Sequence, residues 1–153
     1  MNNELMFSSE TQTWSTPHEL FSKLNDEFHF TLDACADSSN HKCKKYYNEA
    51  EDGLSKSWEN EVVFVNPPYK YAKDWIIKGW QEYITNNAVV VMLLPARVCT
   101  RVWFDVIAPY ASEIRFIKGR LKFSGNKNSA PFPSAIVVFD KCVKQQVKWV
   151  DYR

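Results

Sequence analysis

The chain has 153 residues, enough for one domain with a real core. A net charge of +1 excludes a uniformly basic binder of nucleic acid and leaves local patches to carry charge. No apolar run is long enough to span a bilayer, which excludes a membrane partner of that kind.

Residues 1–12 are polar and irregular and read as a loose arm, with the domain occupying 13–153. The polar N-terminus lacks the apolar stretch of a signal peptide, so the four cysteines are expected as free thiols in a reducing cytoplasm. Thr16-Pro17 opens a helix, with Thr16 as N-cap and Pro17 in its first turn. Leu20, Phe21, Leu24 and Phe28 give that helix one buried face. Residues 30–36 read as a short strand with a carboxylate, Asp33, and small residues at its tip. Residues 37–40 are a turn cluster, a short strand is expected around Tyr46-Tyr47, and Asp52-Gly53 is a turn.

Val62 to Val65 is a run of β-favouring residues ended by Asn66-Pro67-Pro68-Tyr69. Residues 72–84 carry Trp75, Ile76, Gly79 and Trp80 at helical spacing. Residues 88–94 are continuously apolar, as a central parallel strand is. A helix is expected over 100–108 with Pro109 ending it, then strands at 114–117 and 135–139. The link from Ser124 to Pro133 is a loop by composition. Strands alternating with helices, then two adjacent strands, predict an α/β fold: one mostly parallel sheet covered on both faces, with an antiparallel C-terminal edge. Ligands bind beyond the carboxyl ends of such strands, where Asp33, Asn66 and Arg97 fall.

Asn66-Pro67-Pro68-Tyr69 places a neutral acceptor, rigid carbonyls and a flat ring at a strand tip. That set suits a planar group bearing NH2, such as adenine. An exocyclic amine of this kind is a poor nucleophile, because its lone pair is delocalised into the ring. The Asn66 side chain and the Pro67 carbonyl can together hold both amine hydrogens and favour a pyramidal nitrogen. Tyr69 can stack on the base, an interaction of about 1–3 kcal/mol. The bland alternative is a strand stop with a proline turn.

Asp33 followed by Ala34-Cys35-Ala36 leaves room for a ligand and suits the amine of an amino-acid-like cofactor; its alternative is an ordinary capping Asp. Asp52 either accepts from an adenine NH2 or simply forms the turn. Lys118, Arg120, Lys122 and Lys127, interleaved with Phe116 and Phe123, suit phosphate and base contact, or else protect an edge strand. Phe132 is a core residue or a second wall against a base. Arg97 and Arg101 hold phosphate or cap strand and helix ends. Cys35, His41 and Cys43 lie close together, but not at zinc-finger spacing, and no second pair completes four ligands, so no metal is expected.

In order along the chain stand Trp14-Ser15-Thr16-Pro17 with Leu20-Phe21, Phe30 to Ala36, Asp52-Gly53-Leu54 with Trp58, and Val65 to Tyr69. Leu94-Pro95-Ala96-Arg97, Ile117 to Phe123 and Asn128 to Ser134 follow. Over residues 13–140 this series resembles the phage-type, Dam-like DNA N6-adenine methyltransferases. The resemblance implies a single-domain Rossmann-like class I S-adenosylmethionine methyltransferase fold and a flipped-out adenine in DNA as acceptor. It implies Asn66, Pro67, Pro68 and Tyr69 as the catalytic motif. It places Thr16, Pro17, Asp33, Ala34, Cys35 and Ala36 near S-adenosyl-L-methionine, with Asp52 and Leu54 on the cofactor's adenine. It leaves Arg97, Arg101, Lys118, Arg120, Lys122, Lys127, Ser129 and Phe132 for DNA. The glycine-rich loop usual after the first strand is missing. There is also no room for a separate target-recognition domain, so specificity is short or loose, or a second subunit, as in a homodimer, supplies contacts. Competing readings are methylation of RNA or of a protein glutamine, and a non-catalytic DNA-binding remnant.

Overall fold

The computed structural model describes residues 14–153. The expected arm at 1–12 lies outside the described residues. Among those described, one sheet contains β1 (Leu32–Asp33), β2 (Val62–Val65), β3 (Val89–Pro95), β4 (Glu113–Ile117), β5 (Ser134–Phe139) and β6 (Gln146–Val150). Their spatial order is β1-β2-β3-β5-β4-β6. Neighbours β1, β2 and β3 pair parallel, β5 runs antiparallel between β3 and β4, and β6 lies parallel to β4. The fold is thus mixed α/β with a mostly parallel sheet. The antiparallel strand is internal, not at the C-terminal edge as the sequence suggested.

Alternation along the strands builds two cores, since successive side chains point to opposite faces. On one face Val63, Val65, Val90, Met92 and Leu94 pack with Trp75, Ile76, Trp103 and Ile107. On the other, Phe64, Val91, Leu93, Ile136 and Val138 pack with Leu20, Phe21 and Leu24. Helix α1 (His18–Phe28) thus covers one face, and α2 (Ala72–Thr85) with the 101–110 segment covers the other. Gly79 lets α2 settle close: a Cβ there would lie 3.1 Å from Val90 Cγ1 and 3.3 Å from Met92 Sδ. Buried Glu82 fastens the preceding loop to α2, accepting from the Trp58 N–H at 3.0 Å and Asn86 Nδ2 at 2.7 Å.

Several elements differ from the sequence reading. Pro17, not Thr16, is the N-cap of α1, and no side chain caps it. The strand expected over 30–36 pairs with β2 only at Leu32 and Asp33. Tyr46 forms only an isolated parallel bridge with Asp33, although Asp33 N–H donates to the Lys45 carbonyl and Ala36 N–H to that of Tyr47. Pro109 does not end its helix. Trp103–Ile107 forms a wide π turn in which Ala108 N–H reaches back five residues to the Trp103 carbonyl. The widened turn accommodates the proline ring one residue later, within the helical turn Ala108–Tyr110.

Candidate active site

Strands β1, β2 and β3 leave the sheet at one edge, delivering Asp33, Asn66 and the Ala96-Arg97 turn there. Because β5 runs the other way, its entry loop arrives at that same edge: Ala96 N–H donates to the Pro133 carbonyl at 2.8 Å. The segment Trp14–Thr16 crosses the edge and is held by a bridge between Ser15 and Ser124. Asp33, Asn66, the loop at 124–133 and residues 14–16 therefore meet, though they are far apart in sequence.

Asn66 is half-buried, and its amide is oriented without ambiguity. Its Nδ2 lies 2.8 Å from the Trp14 carbonyl and 3.0 Å from Thr16 Oγ1. A backbone carbonyl only accepts, so the NH2 end must face it. Both amide hydrogens are then used. The remaining oxygen, Oδ1, is buried and has no hydrogen-bond partner among the described residues. Unpaired buried acceptors are uncommon and costly, at about 1–3 kcal/mol. At the tip of a central strand, such an acceptor is open to a donor. Beside it, Pro67 and Pro68 are buried, and the Pro68 carbonyl is taken by Tyr71 N–H at 2.9 Å.

A small cavity of ≈ 20 Å³ opens against Asn66, lined by Thr16, Asp33, Cys35 and Lys42 among others. Asp33 is only 3% exposed, and its Oδ2 accepts from the Lys42 N–H at 2.9 Å. Burial pushes its carboxyl up to about 7, although backbone N–H groups of Lys42 and Cys35 oppose the shift. Burial likewise keeps the Cys35 thiol protonated and raises Cys43 to about 12. His41 stacks on Tyr46 at 4.2 Å and its Nδ1 meets the Cys43 carbonyl. No three potential metal ligands converge among the described residues.

Tyr69 is 8% exposed, its hydroxyl is buried with no partner among the described residues, and burial raises its pKa. Its ring meets Phe132 edge-on at 5.3 Å and Phe123 at 6.2 Å; Phe132 meets Trp14 edge-on at 5.2 Å. Phe132 is thus half-buried in an aromatic cluster that packs closed against Tyr69.

A family model for DNA N-6-adenine-methyltransferase (Dam) matches residues 5–153. The chain belongs to the DNA N-6-adenine-methyltransferase (Dam) family. It is 29% identical over 140 residues to a DNA N-6-adenine-methyltransferase of Haemophilus phage HP1 (strain HP1c1), covering 86% of this chain and 80% of that one. It is 36% identical over 110 residues to a DNA N-6-adenine-methyltransferase of Escherichia phage T1, covering 71% of this chain but 45% of that one. The activity that goes with family membership is methylation of adenine N6 in DNA, which requires a methyl donor and a DNA substrate.

The other residues expected at a Dam-family site fall in distinct places. Ala34 and Ala36 are buried, and a Cβ on Gly53 would stand 2.1 Å from the Ala34 carbonyl oxygen, so the Asp52–Leu54 turn lies directly on Ala34. Asp52 caps that turn through Leu54 N–H at 3.3 Å, and Leu54 is half-buried. Pro17 is half-buried at the head of α1 and does not line the cavity. Arg97, Arg101, Lys118, Arg120, Lys122, Lys127 and Ser129 are exposed. Lys118 is drawn to Asp151 at 3.3 Å, whereas Arg97 and Arg101 line a second cavity. Asn40 and Lys42 of the first cavity were not anticipated, nor was Trp14 as the anchor of Asn66. Trp14 stood in the family-like motif as a marker. Lys42 acts on Asp33 through its backbone N–H first and through its charge second, and the backbone bond leaves no side-chain signal to find. No helix among the described residues is long and apolar enough to cross a membrane.

Proposed function

We propose that this chain methylates adenine N6 in DNA from S-adenosyl-L-methionine on a Rossmann-like class I scaffold, with Asn66 as the acceptor for the target amine. The orphaned Asn66 Oδ1 carries this reading. It accepts one N6 hydrogen while the Pro67 carbonyl takes the other, and the two draw the nitrogen towards a pyramidal form. Asn66 stays neutral and removes no proton beforehand; the proton leaves after charge has formed on N6. The closed aromatic cluster of Trp14, Tyr69 and Phe132 has to part for a base to lie between Tyr69 and Phe132, so base entry and movement of the Trp14–Thr16 segment go together.

The residues around Asp33 fit the amino-acid end of the donor. A buried carboxylate faces the ammonium, and Lys42 and Thr16 stand on the same cavity for the carboxylate. When bound, S-adenosylmethionine supplies an electrophilic methyl on its sulfonium. Asp52 and Leu54 lie beside Ala34, within the reach expected of contacts to the donor's adenine. The exposed cations Arg120, Lys122 and Lys127 supply phosphate contacts.

Incubation with DNA and methyl-labelled donor, followed by digestion and nucleoside mass analysis, tests the reading. Label on N6-methyldeoxyadenosine is expected. Label that survives DNase but is lost to protease would overturn it in favour of a glutamine acceptor.

A further inference from the structure

A second cavity, of ≈ 340 Å³, lies beside the Asn66–Tyr69 segment and shares no lining residue with the cavity at Asp33. It falls in the size range of small-molecule sites, about 300–1,000 Å³. Its floor is apolar: Ile76, Leu94, Val102 and Trp103. Its rim carries Lys70, Lys73, Arg97 and Arg101, and among the described residues no acid lines it. Among the described residues none of these four side chains forms an ion pair. Tyr69 closes one side, which joins the cavity to the catalytic segment.

This chemistry fits a flat, uncharged ring linked to anions. It does not fit a sulfonium donor with an ammonium group, which four cations and no acid would repel. Nor does it fit the target adenine, because Asn66 does not line the cavity. We propose that the cavity takes a nucleobase next to the target adenine, with Arg97 and Arg101 on its phosphates, and that it reads sequence context. Context is then read from the turn after β3 and the start of α2. The inference rests on the methylation reading above.

Val102→Phe and Ala72→Leu each fill the cavity from a different element, and circular dichroism verifies their folding. Each is assayed for KM towards DNA, for cofactor affinity and, by sequencing of methylated DNA, for the bases flanking the modified adenine. We expect DNA KM to rise at least tenfold and the preference at one flanking position to weaken, with cofactor affinity unchanged. Arg97→Ala/Arg101→Ala raises KM without altering that preference. A parent that methylates adenine and folded variants with its KM and flanking preference would overturn this inference alone. A parent that methylates no adenine in DNA overturns both readings.

Discussion

Asn66 donates both amide hydrogens, to Trp14 and Thr16, and its acceptor has no partner among the described residues. Asparagine suits this position better than aspartate, because a carboxylate would face the Trp14 carbonyl with no hydrogen to offer. Asp33 has the opposite design: a group that ionises but is buried. Its folded pKa of about 7 lies above the roughly 3.9 of an unfolded Asp. Between those values the folded state holds a proton that the unfolded state has lost, so stability falls as pH rises from about 4 to 7 and then levels. Asp33→Asn removes that fall. The variant's melting temperature should exceed the parent's at pH 8, and the gain should shrink towards pH 4. Cofactor affinity behaves in the reverse sense: it rises with pH through about 7 in the parent, as the carboxylate becomes available for an ammonium, and stays flat in Asp33→Asn. Calorimetry across that range checks both. A parent whose cofactor affinity does not change with pH would remove Asp33 from the binding role.

At the scale of elements, the turn at 52–54 shows how a site is held from beneath. Asp52 has φ 54°, and Gly53 rests on the Ala34 carbonyl with no space for a Cβ. Gly53→Ala should cost about 1–3 kcal/mol or more by urea unfolding, since the clash is with backbone. Parental stability in that variant would show that the turn shifts freely. Legibility in the sequence followed burial. Val62–Val65, Ala72–Thr85 and Val89–Pro95 lie within a residue or so of their expected bounds, because fully buried strands and an amphipathic helix leave unbroken apolar patterns. Strand β6 was not anticipated. Gln146, Val147, Lys148 and Trp149 are all exposed, Trp149 at 81%, so pairing with β4, not burial, makes it a strand. Thr16 had the composition of a helix cap, but its hydroxyl serves Asn66, a partner 50 residues away that no local rule could reveal. The Asn66–Tyr69 motif was readable because it is contiguous; Trp14, Asn40 and Lys42 reach the candidate site only through the fold.

For the whole molecule, a net charge of +1 conceals a division of labour. The buried Asp33 stands on one side of the Asn66–Tyr69 segment, while Lys70, Lys73, Arg97 and Arg101, which form no ion pair among the described residues, rim the cavity on the other. Exposed Arg120, Lys122 and Lys127 lie along the loop leading to β5, where Ser124 bridges Ser15. Each phosphate they contact should contribute about 0.9 to the slope of log affinity against log salt on duplex DNA. Replacing all three with Gln should lower that slope by as much as about 2.7, without changing cofactor affinity. An unchanged slope, by fluorescence anisotropy over a salt series, would place the DNA elsewhere. The internal antiparallel β5 is what makes the arrangement possible, because it brings its entry loop to the edge where β1, β2 and β3 end.

The most direct measurement is single-turnover methyl transfer by Asn66→Ala with DNA and cofactor both saturating, alongside calorimetry of cofactor binding. The account predicts a rate at least about 100-fold below the parent's, as for loss of one preorganised hydrogen bond to a reacting group, with cofactor binding retained. A folded Asn66→Ala protein that labels adenine at the parental rate would contradict it.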